Sequence, residues 1–290
     1  MFDLALSIAL CFSPVPPPAA VPLLPLGIAQ DDEETEQPPV DEEAVADLVE
    51  RLEELLGDRQ AAPEDKIELI WEAVELSHED VVDALEEGLD DKQQEVRLAT
   101  LDVLGLIDHE DAMKLLAKLA RKDKKLQDDE ELAAQLFKSL GRYGVEKNMD
   151  LFTKNIFASK GSKVVQARLL SLGKIRSEDA VEELISLMNS AAGIGAGKGK
   201  GNGGGARAKV AHMDEIRMSL YALLEEDAGS SRNDWQKWWN DNKRDFEVSE
   251  EEGDLEGPLG RKWGQYWERT TRKRDRDRDE EDGERGGGRR

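Results

Sequence analysis

Two His-Glu-Asp tripeptides come closest to a chemical motif in this sequence, because imidazole and carboxylate side chains bind metal ions. They begin at His78 and His109, which are 31 residues apart. An equivalent stretch further along begins with Ser177 and continues with the same Glu-Asp pair. A recurring turn position therefore explains both histidines. With only three histidines, one cysteine and no HExxH pattern, the sequence predicts no metal site, no cofactor site and no catalytic residues.

A glycine-rich stretch, GIGAGKGKGNGGGA from Gly193 to Ala206, invites comparison with phosphate-binding loops. A Walker loop needs four residues between its first glycine and Gly-Lys, and a Ser or Thr after the lysine. Here three residues intervene, and Gly199 follows Lys198. The dinucleotide-type spacing that begins at Gly199 follows no predicted strand. We therefore interpret residues 191–206 as a flexible, mildly basic loop inserted between helices, which could touch an acidic partner.

A repeated unit of 34 residues positions the His-Glu-Asp motif. The stretch VRLATLDVLGLIDHEDAMKLLAKL from Val96 aligns with VVQARLLSLGKIRSEDAVEELISLM from Val164 at a constant offset of 68, which is two units. Apolar residues fall at spacings of three and four, as in Leu98, Leu101 and Leu104, and form the core stripe of an amphipathic helix. Three or more such units must stack to bury their apolar faces. The sequence therefore predicts an all-α fold of stacked helix pairs.

The repeated unit resembles the HEAT-repeat family, including its exported bacterial branch. The matching signature is a helix that ends in Leu104-Gly105-x-Ile107, a short turn, and Asp111-Ala112 at the start of a second helix. The resemblance implies an α-solenoid of stacked antiparallel helix pairs, of the HEAT-like or armadillo type, over residues 41–190. A degenerate last repeat is expected within residues 207–247. The unit departs from the family pattern because its inter-helix turn lacks proline.

The resemblance also implies a protein-interaction scaffold whose second helices line a concave surface. Those helices would present a mixed, mainly charged face made of Glu86, Glu87, Lys114, Lys118, Glu182 and Glu183. Such a face would suit polar recognition of another protein.

Two aromatic motifs lie in the C-terminal part of the chain. The first, in NDWQKWWNDNKRDF, is interpreted as a helix that caps the last repeat, with a ligand platform as the alternative. The second, in GRKWGQYWER, lies beyond an acidic linker and either folds back onto the solenoid or docks on a partner. The candidate partner-binding residues are Trp235, Trp238, Trp239, Trp263, Tyr266 and Trp267.

The charge distribution limits the partners of this protein. A net charge of −24 and a pI near 4.6 disfavour nonspecific nucleic-acid binding, because phosphate contacts need clustered Lys and Arg. Residues 248–290 comprise the acidic linker, the second aromatic motif and a charged tail that is predicted to be disordered. The tail ends in Arg-Gly-Gly-Gly-Arg-Arg, and because an arginine-glycine end can contact RNA, a nucleic-acid-associated protein is one alternative.

The N-terminal segment, residues 1–29, is predicted to be an export signal. An apolar run from Leu4 to Phe12 is followed by the small residues Gly27 and Ala29, which suit cleavage. A retained leader is the alternative, since no Lys or Arg precedes the run. Residues 30–40 are predicted to be an acidic, disordered leader. Cleavage would make the mature chain periplasmic or secreted and leave it without a membrane span, whereas a retained segment would make it cytoplasmic.

The sequence thus predicts a non-catalytic scaffold for protein–protein interaction, with another protein as its partner and no small-molecule substrate. Besides the nucleic-acid alternative, some HEAT-like proteins that resemble this one act as lyases in chromophore attachment to photosynthetic antenna proteins. A chromophore-handling protein would need a nucleophile or ligand on the concave face. The only cysteine, Cys11, lies within the predicted export signal.

Overall fold

The computed structural model describes residues 41–194, 212–249, 251–253 and 255–267, all within one compact unit. The predicted export signal and acidic leader, positions 195–206 of the predicted loop, and the charged tail from residue 268 lie outside the described residues.

Every regular element in this described part of the chain is a helix, which confirms the predicted all-α fold. The α-helices are α1 (Glu42–Gly57), α2 (Pro63–Glu72), α3 (Glu79–Glu86), α4 (Gln94–Leu104), α5 (Glu110–Lys122), α6 (Lys124–Asp128), α7 (Glu130–Arg142), α8 (Met149–Thr153), α9 (Ser162–Leu172), α10 (Glu178–Ile194), α11 (Met213–Leu224) and α12 (Arg232–Asn242). A further helical segment covers residues 257–267. Helix α10 extends to Ile194, so the first four residues assigned to the glycine-rich loop are helical.

At the start of helices α3, α5 and α10, the side chain of the residue before the helix accepts a hydrogen bond from a first-turn N–H group. The Nδ1 atom of His78 accepts a hydrogen bond from the Asp80 N–H at 3.2 Å, and His109 accepts the equivalent bond at 3.3 Å. Ser177 replaces histidine before α10, and its Oγ accepts a bond from the Ala180 N–H at 3.3 Å. Acidic residues lie in the first turn of all three helices, where their negative charges interact favourably with the positive end of the helix dipole. The two histidines therefore act as helix caps at the recurring turn.

The helices stack in two layers. The first helices of the repeats, α2, α4, α7, α9 and α11, contact one another in chain order. Among the second helices, α3, α5 and α8 contact one another in chain order, α10 contacts α12, and α1 packs against α3. The first helices and the helices that follow them build an α-solenoid, with its main core between the two sets. The pairs Leu101–Leu169 and Leu104–Leu172, which the repeat alignment equates, are all buried in that core.

Glycine–serine contacts draw neighbouring first helices together. The facing pairs are Gly105–Ser139, Gly141–Ser171 and Gly173–Ser219. A methyl group on Gly105 would lie 2.6 Å from the Cα atom of Ser139, which leaves no room for a larger residue. Gly105 and Gly173 have right-handed helical backbones, with φ of −83° and −69°, so close packing rather than a chain turn requires them.

A candidate protein-binding groove

A groove of about 810 Å³ crosses the layer of first helices from α2 to α11. Each helix contributes residues spaced three or four apart, so one face of every first helix lines it. The apolar lining includes Trp71 of α2, Leu98 and Ala99 of α4, and Ala134 of α7. We call this feature the first-helix groove. Because it touches all five repeats, it could hold a segment of another chain along its length.

The rim of the first-helix groove is acidic. Its charged lining residues are Glu95, Asp102, Glu131, Asp214 and Glu215 against Lys138, Lys163 and Lys262. Asp102 is only 6% exposed and accepts hydrogen bonds from Arg142 Nη1 at 2.6 Å and from Gln135 Nε2 at 3.0 Å. Glu131 is ion-paired with Lys163, a surface contact between exposed side chains. Glu95 is exposed, so its carboxylate is available to a partner.

The second-helix layer, where we expected the concave surface, carries separate depressions. One of about 740 Å³ lies between α1 and α3 and has an acidic rim. Another of about 380 Å³ lies on α5 and includes Lys114 and Lys118. Lys118 bridges to Glu86 of the preceding repeat at 3.3 Å, so two of the expected surface residues pair with each other. The groove that spans the repeats is on the first helices instead, where its lining includes the small residues Ala99 and Ala134.

The second aromatic motif folds back onto the first helices. Trp263 is 2% exposed and packs with Leu170 of α9 and with Met218 and Ala222 of α11. Its ring fits over Gly173, where a methyl group would lie 2.7 Å from the Cη2 atom of Trp263. Glycine at this position therefore makes room for both the indole ring and α11.

Cations lie over the aromatic rings of this motif. The ammonium of Lys174 lies 5.4 Å from the ring centre of Trp263 and 5.0 Å from that of Trp267. Lys138 lies 5.0 Å from the ring centre of Tyr266, which also lines the first-helix groove. Burial raises the pKa of the Tyr266 hydroxyl, so that group stays neutral at physiological pH. Cation–π contacts of this kind stabilise the motif in its seat.

Polar contacts secure the chain that leads into the motif. The Arg176 guanidinium donates to the carbonyl oxygens of Ser249 at 2.6 Å and Glu251 at 3.1 Å. Burial lowers the pKa of Arg176, although nearby carboxylates oppose this effect. Glu252 is ion-paired with Lys174 and accepts a hydrogen bond from the Trp263 Nε1–H at 2.6 Å.

Lys174 and Arg176 were not among the candidate site residues. The repeat alignment holds the signal that could have found them, because they stand where the earlier unit has Leu106 and Asp108. An apolar residue and an acid are thus replaced by two bases in an otherwise equivalent turn. The turn that carries these two bases is the one that binds the C-terminal segment.

The first aromatic motif lies elsewhere, on α12. Trp235 and Trp239 are 0% and 1% exposed, and both belong to the main core, where α12 packs against α10. The Trp239 Nε1–H donates to Glu182 Oε1 at 3.1 Å, and Trp238 meets Phe246 edge-to-face at 5.4 Å. A helix that covers the end of the core fits this placement, and neither buried ring is accessible to a partner.

A two-layer stack of antiparallel helix pairs, with glycine-mediated contacts between its first helices, defines a helical repeat protein of the α-solenoid class. Residues 48–127, from within α1 to within α6, match the family model of HEAT repeats. The match places HEAT repeats within these residues and supports the resemblance seen in the sequence. A comparison with curated protein sequences found no match. The exported bacterial branch stays a prediction.

Two further properties concern the described residues alone. None of the helices that the structure describes is long and apolar enough to cross a membrane. Within the same residues, no group of three or more His, Cys, Asp or Glu side chains is arranged to hold a metal ion.

Proposed function

We propose that the protein is a non-catalytic scaffold that binds another protein in the first-helix groove. HEAT repeats commonly mediate protein–protein interaction. The observation that carries the proposal is the continuity of the groove across all five first helices. Stacked repeats form an extended binding surface that a single helix pair could not provide.

The lining of the groove specifies the chemistry of the partner. Stacked helices lie about 8–10 Å apart, so five of them span roughly 32–40 Å, which accommodates an extended segment of about 10–12 residues. Asp102 is already paired with Arg142, so four carboxylates face three lysines, and this remaining excess together with the exposed Glu95 favours a segment with a net positive charge. The apolar floor favours interspersed aliphatic or aromatic side chains. The net charge of −24 would steer such a segment toward the protein.

The same charges bear on the alternatives. An acidic groove repels phosphate groups, so the described residues give no support to nucleic-acid binding at this site. A role in chromophore attachment likewise gains no support from the groove, whose polar lining consists of carboxylates, lysines and amides together with the Tyr266 hydroxyl. Both alternatives stay predictions from the sequence.

Filling the groove should abolish partner binding. Ala99→Arg and Ala134→Arg place a long cation on the apolar floor, where it blocks the segment and repels its positive charges. We expect each variant to weaken binding at least tenfold, equivalent to about 1.4 kcal/mol. The partner is first captured by the full chain from nuclease-treated source-cell extract, identified by mass spectrometry and purified. Its dissociation constant is then measured by calorimetry.

Ala46→Arg is the matched control, because Ala46 is an exposed alanine that lines the depression between α1 and α3 in the other layer. Its binding constant should stay within about twofold of wild type. Loss of binding in Ala46→Arg with retention in both groove variants would move the site to the second-helix layer and refute the proposal.

A further inference from the structure

The C-terminal segment 255–267, which we call the strap, packs outside the main core. Trp263 forms a small separate cluster with Leu170, Met218 and Ala222, to which no residue of the second-helix layer contributes. The main core between the two layers does not include any strap residue. Removal of the strap would therefore leave the solenoid core intact and expose an apolar patch on α9 and α11.

The seat of the strap is continuous with the first-helix groove. Leu170 and Met218 pack under Trp263 and also line the groove, and Lys262 and Tyr266 of the strap form part of the groove wall. A segment bound in the groove that extended toward α11 would meet the strap. The two binding surfaces are thus parts of one larger surface, of which the strap covers the α9–α11 end.

The strap matches the partner chemistry that the groove favours. Residues 255–267 carry two basic residues, Arg261 and Lys262, and one acidic residue, Glu256, a net charge of +1 in a chain whose net charge is −24. Trp263, Tyr266 and Trp267 have the i, i+3, i+4 spacing that places all three rings on one face of a helix. Lys262 lies 3.6 Å from Asp214, which lines the groove. An aromatic, basic helix is therefore what this end of the surface holds.

The strap also fits its seat imperfectly. The Nε1 atom of Trp267 is shielded from solvent and has no hydrogen-bond acceptor among the described residues. A buried donor without an acceptor weakens the packing of the ring that carries it. A helix with the same rings but without that unpaired donor would bind the seat more tightly.

We propose that the strap competes with a binding partner for the surface on α9 and α11 and is displaced when the partner binds. A helix of the same partner, with aromatic residues at i, i+3 and i+4 and with Lys or Arg beside them, takes its place on α9 and α11, next to the extended segment in the groove. This inference rests on the proposed function, since it names the kind of partner and the control of the same surface. Because the strap is tethered, it competes at an effective concentration on the order of millimolar, so a partner must bind the free seat well to displace it.

The test uses the full chain and a fluorescent peptide of residues 255–267 as the probe, with binding followed by anisotropy. Trp263→Ala removes the largest anchor of the strap and should increase peptide affinity at least tenfold over wild type. Trp267→Phe keeps an aromatic ring at this position, although a smaller one, and removes the unpaired N–H, so it should tighten the strap and decrease peptide affinity severalfold. Adding Lys174→Ala to Trp263→Ala removes the cation over the rings of the bound peptide and should reverse most of the gain.

Circular dichroism melts establish that each variant keeps the helical content and the main transition of the wild type. Equal peptide affinity in the wild type, Trp263→Ala and Trp267→Phe would overturn the inference, as would absence of binding to all three. That outcome is separable from failure of the proposed function. If the peptide result is negative while Ala99→Arg and Ala134→Arg still lose the partner, the groove remains the binding site and only the exchange of the strap is refuted.

Discussion

Asp91→Ala is expected to lower the free energy of unfolding by about 3–5 kcal/mol, because it leaves a buried ammonium group without its carboxylate. Lys66 Nζ lies 2.7 Å from Asp91 Oδ2, and the two side chains are 3% and 9% exposed. The same ammonium donates to the Leu56 carbonyl oxygen at 3.3 Å. This pair joins the end of α1, the start of α2 and the turn before α4, so its loss affects the first repeats together. Urea unfolding followed by circular dichroism measures the change.

The control for Asp91→Ala is the double variant Lys66→Met, Asp91→Leu. Replacing both charges with apolar side chains of similar size removes the buried charge altogether and is often neutral or stabilising. We expect the double variant to be within about 1 kcal/mol of wild type, or above it. A double variant as unstable as Asp91→Ala would mean that shape and packing at this site, rather than the unpaired charge, cause the loss.

The contribution of Asp91 should also depend on pH. Burial raises the pKa of this carboxyl group, but the Lys66 hydrogen bond, the Gln93 N–H and the charges of Lys66 and Arg97 outweigh it and lower the pKa below its usual value. A lowered folded pKa adds stability above the unfolded pKa of about 3.9 and loses it as the pH falls through the folded value. The difference in unfolding free energy between wild type and Asp91→Ala should therefore be constant from about pH 7 to pH 5. It should shrink below about pH 4. A difference unchanged down to about pH 2 would contradict this account.

The sequence predicted the stacking of the repeats because the stacking residues recur. Leu101 and Leu169 occupy the same position in two units, and both are buried. The buried pair of Lys66 and Asp91 does not recur in this way. It joins residues 25 apart that resemble ordinary surface charges, and only the packing of α1, α2 and the turn before α4 shows that the pair is largely shielded from solvent.

The candidate site was harder to predict, because its location depends on tertiary packing. Both aromatic motifs have the same helical spacing, yet Trp239 lies in the main core and Trp263 lies in a separate cluster on the first helices. Spacing defines which side chains share a helix face, but the positions of the neighbouring helices determine what that face packs against. The groove lies on the first helices for the same reason. Its lining includes Ala99 and Ala134, whose small size carries no signal in a single sequence.

Gly141→Ala is expected to destabilise the protein by about 1–3 kcal/mol, although alanine is the better helix former. A methyl group on Gly141 would lie 3.0 Å from the Cα atom of Ser171 and closer still to its side chain. The Oγ of Ser171 lies within hydrogen-bonding distance of the Phe137 and Ala167 carbonyl oxygens, at 2.9 and 2.7 Å, so turning the side chain away would cost its hydroxyl these acceptors. Helix α9 must therefore move off α7, and both the core and the groove lining shift with it. Thermal unfolding monitored by circular dichroism measures the loss.

Gly57→Ala, at the end of α1, separates crowding from helix propensity. Its new methyl group would contact only the Glu87 carboxylate, at an ordinary van der Waals distance of 3.6 Å. The higher helix propensity of alanine should therefore be the only effect and stabilise the protein by up to about 1 kcal/mol. Opposite signs for the two glycines are the expected result, and equal signs would contradict the role of close packing. Ser171→Gly provides the remaining comparison, because it removes the side chain that an alanine at 141 would strike. The Gly141→Ala, Ser171→Gly double variant should then lose less stability than the sum of the two single variants, which would assign the requirement for Gly141 to this single helix contact.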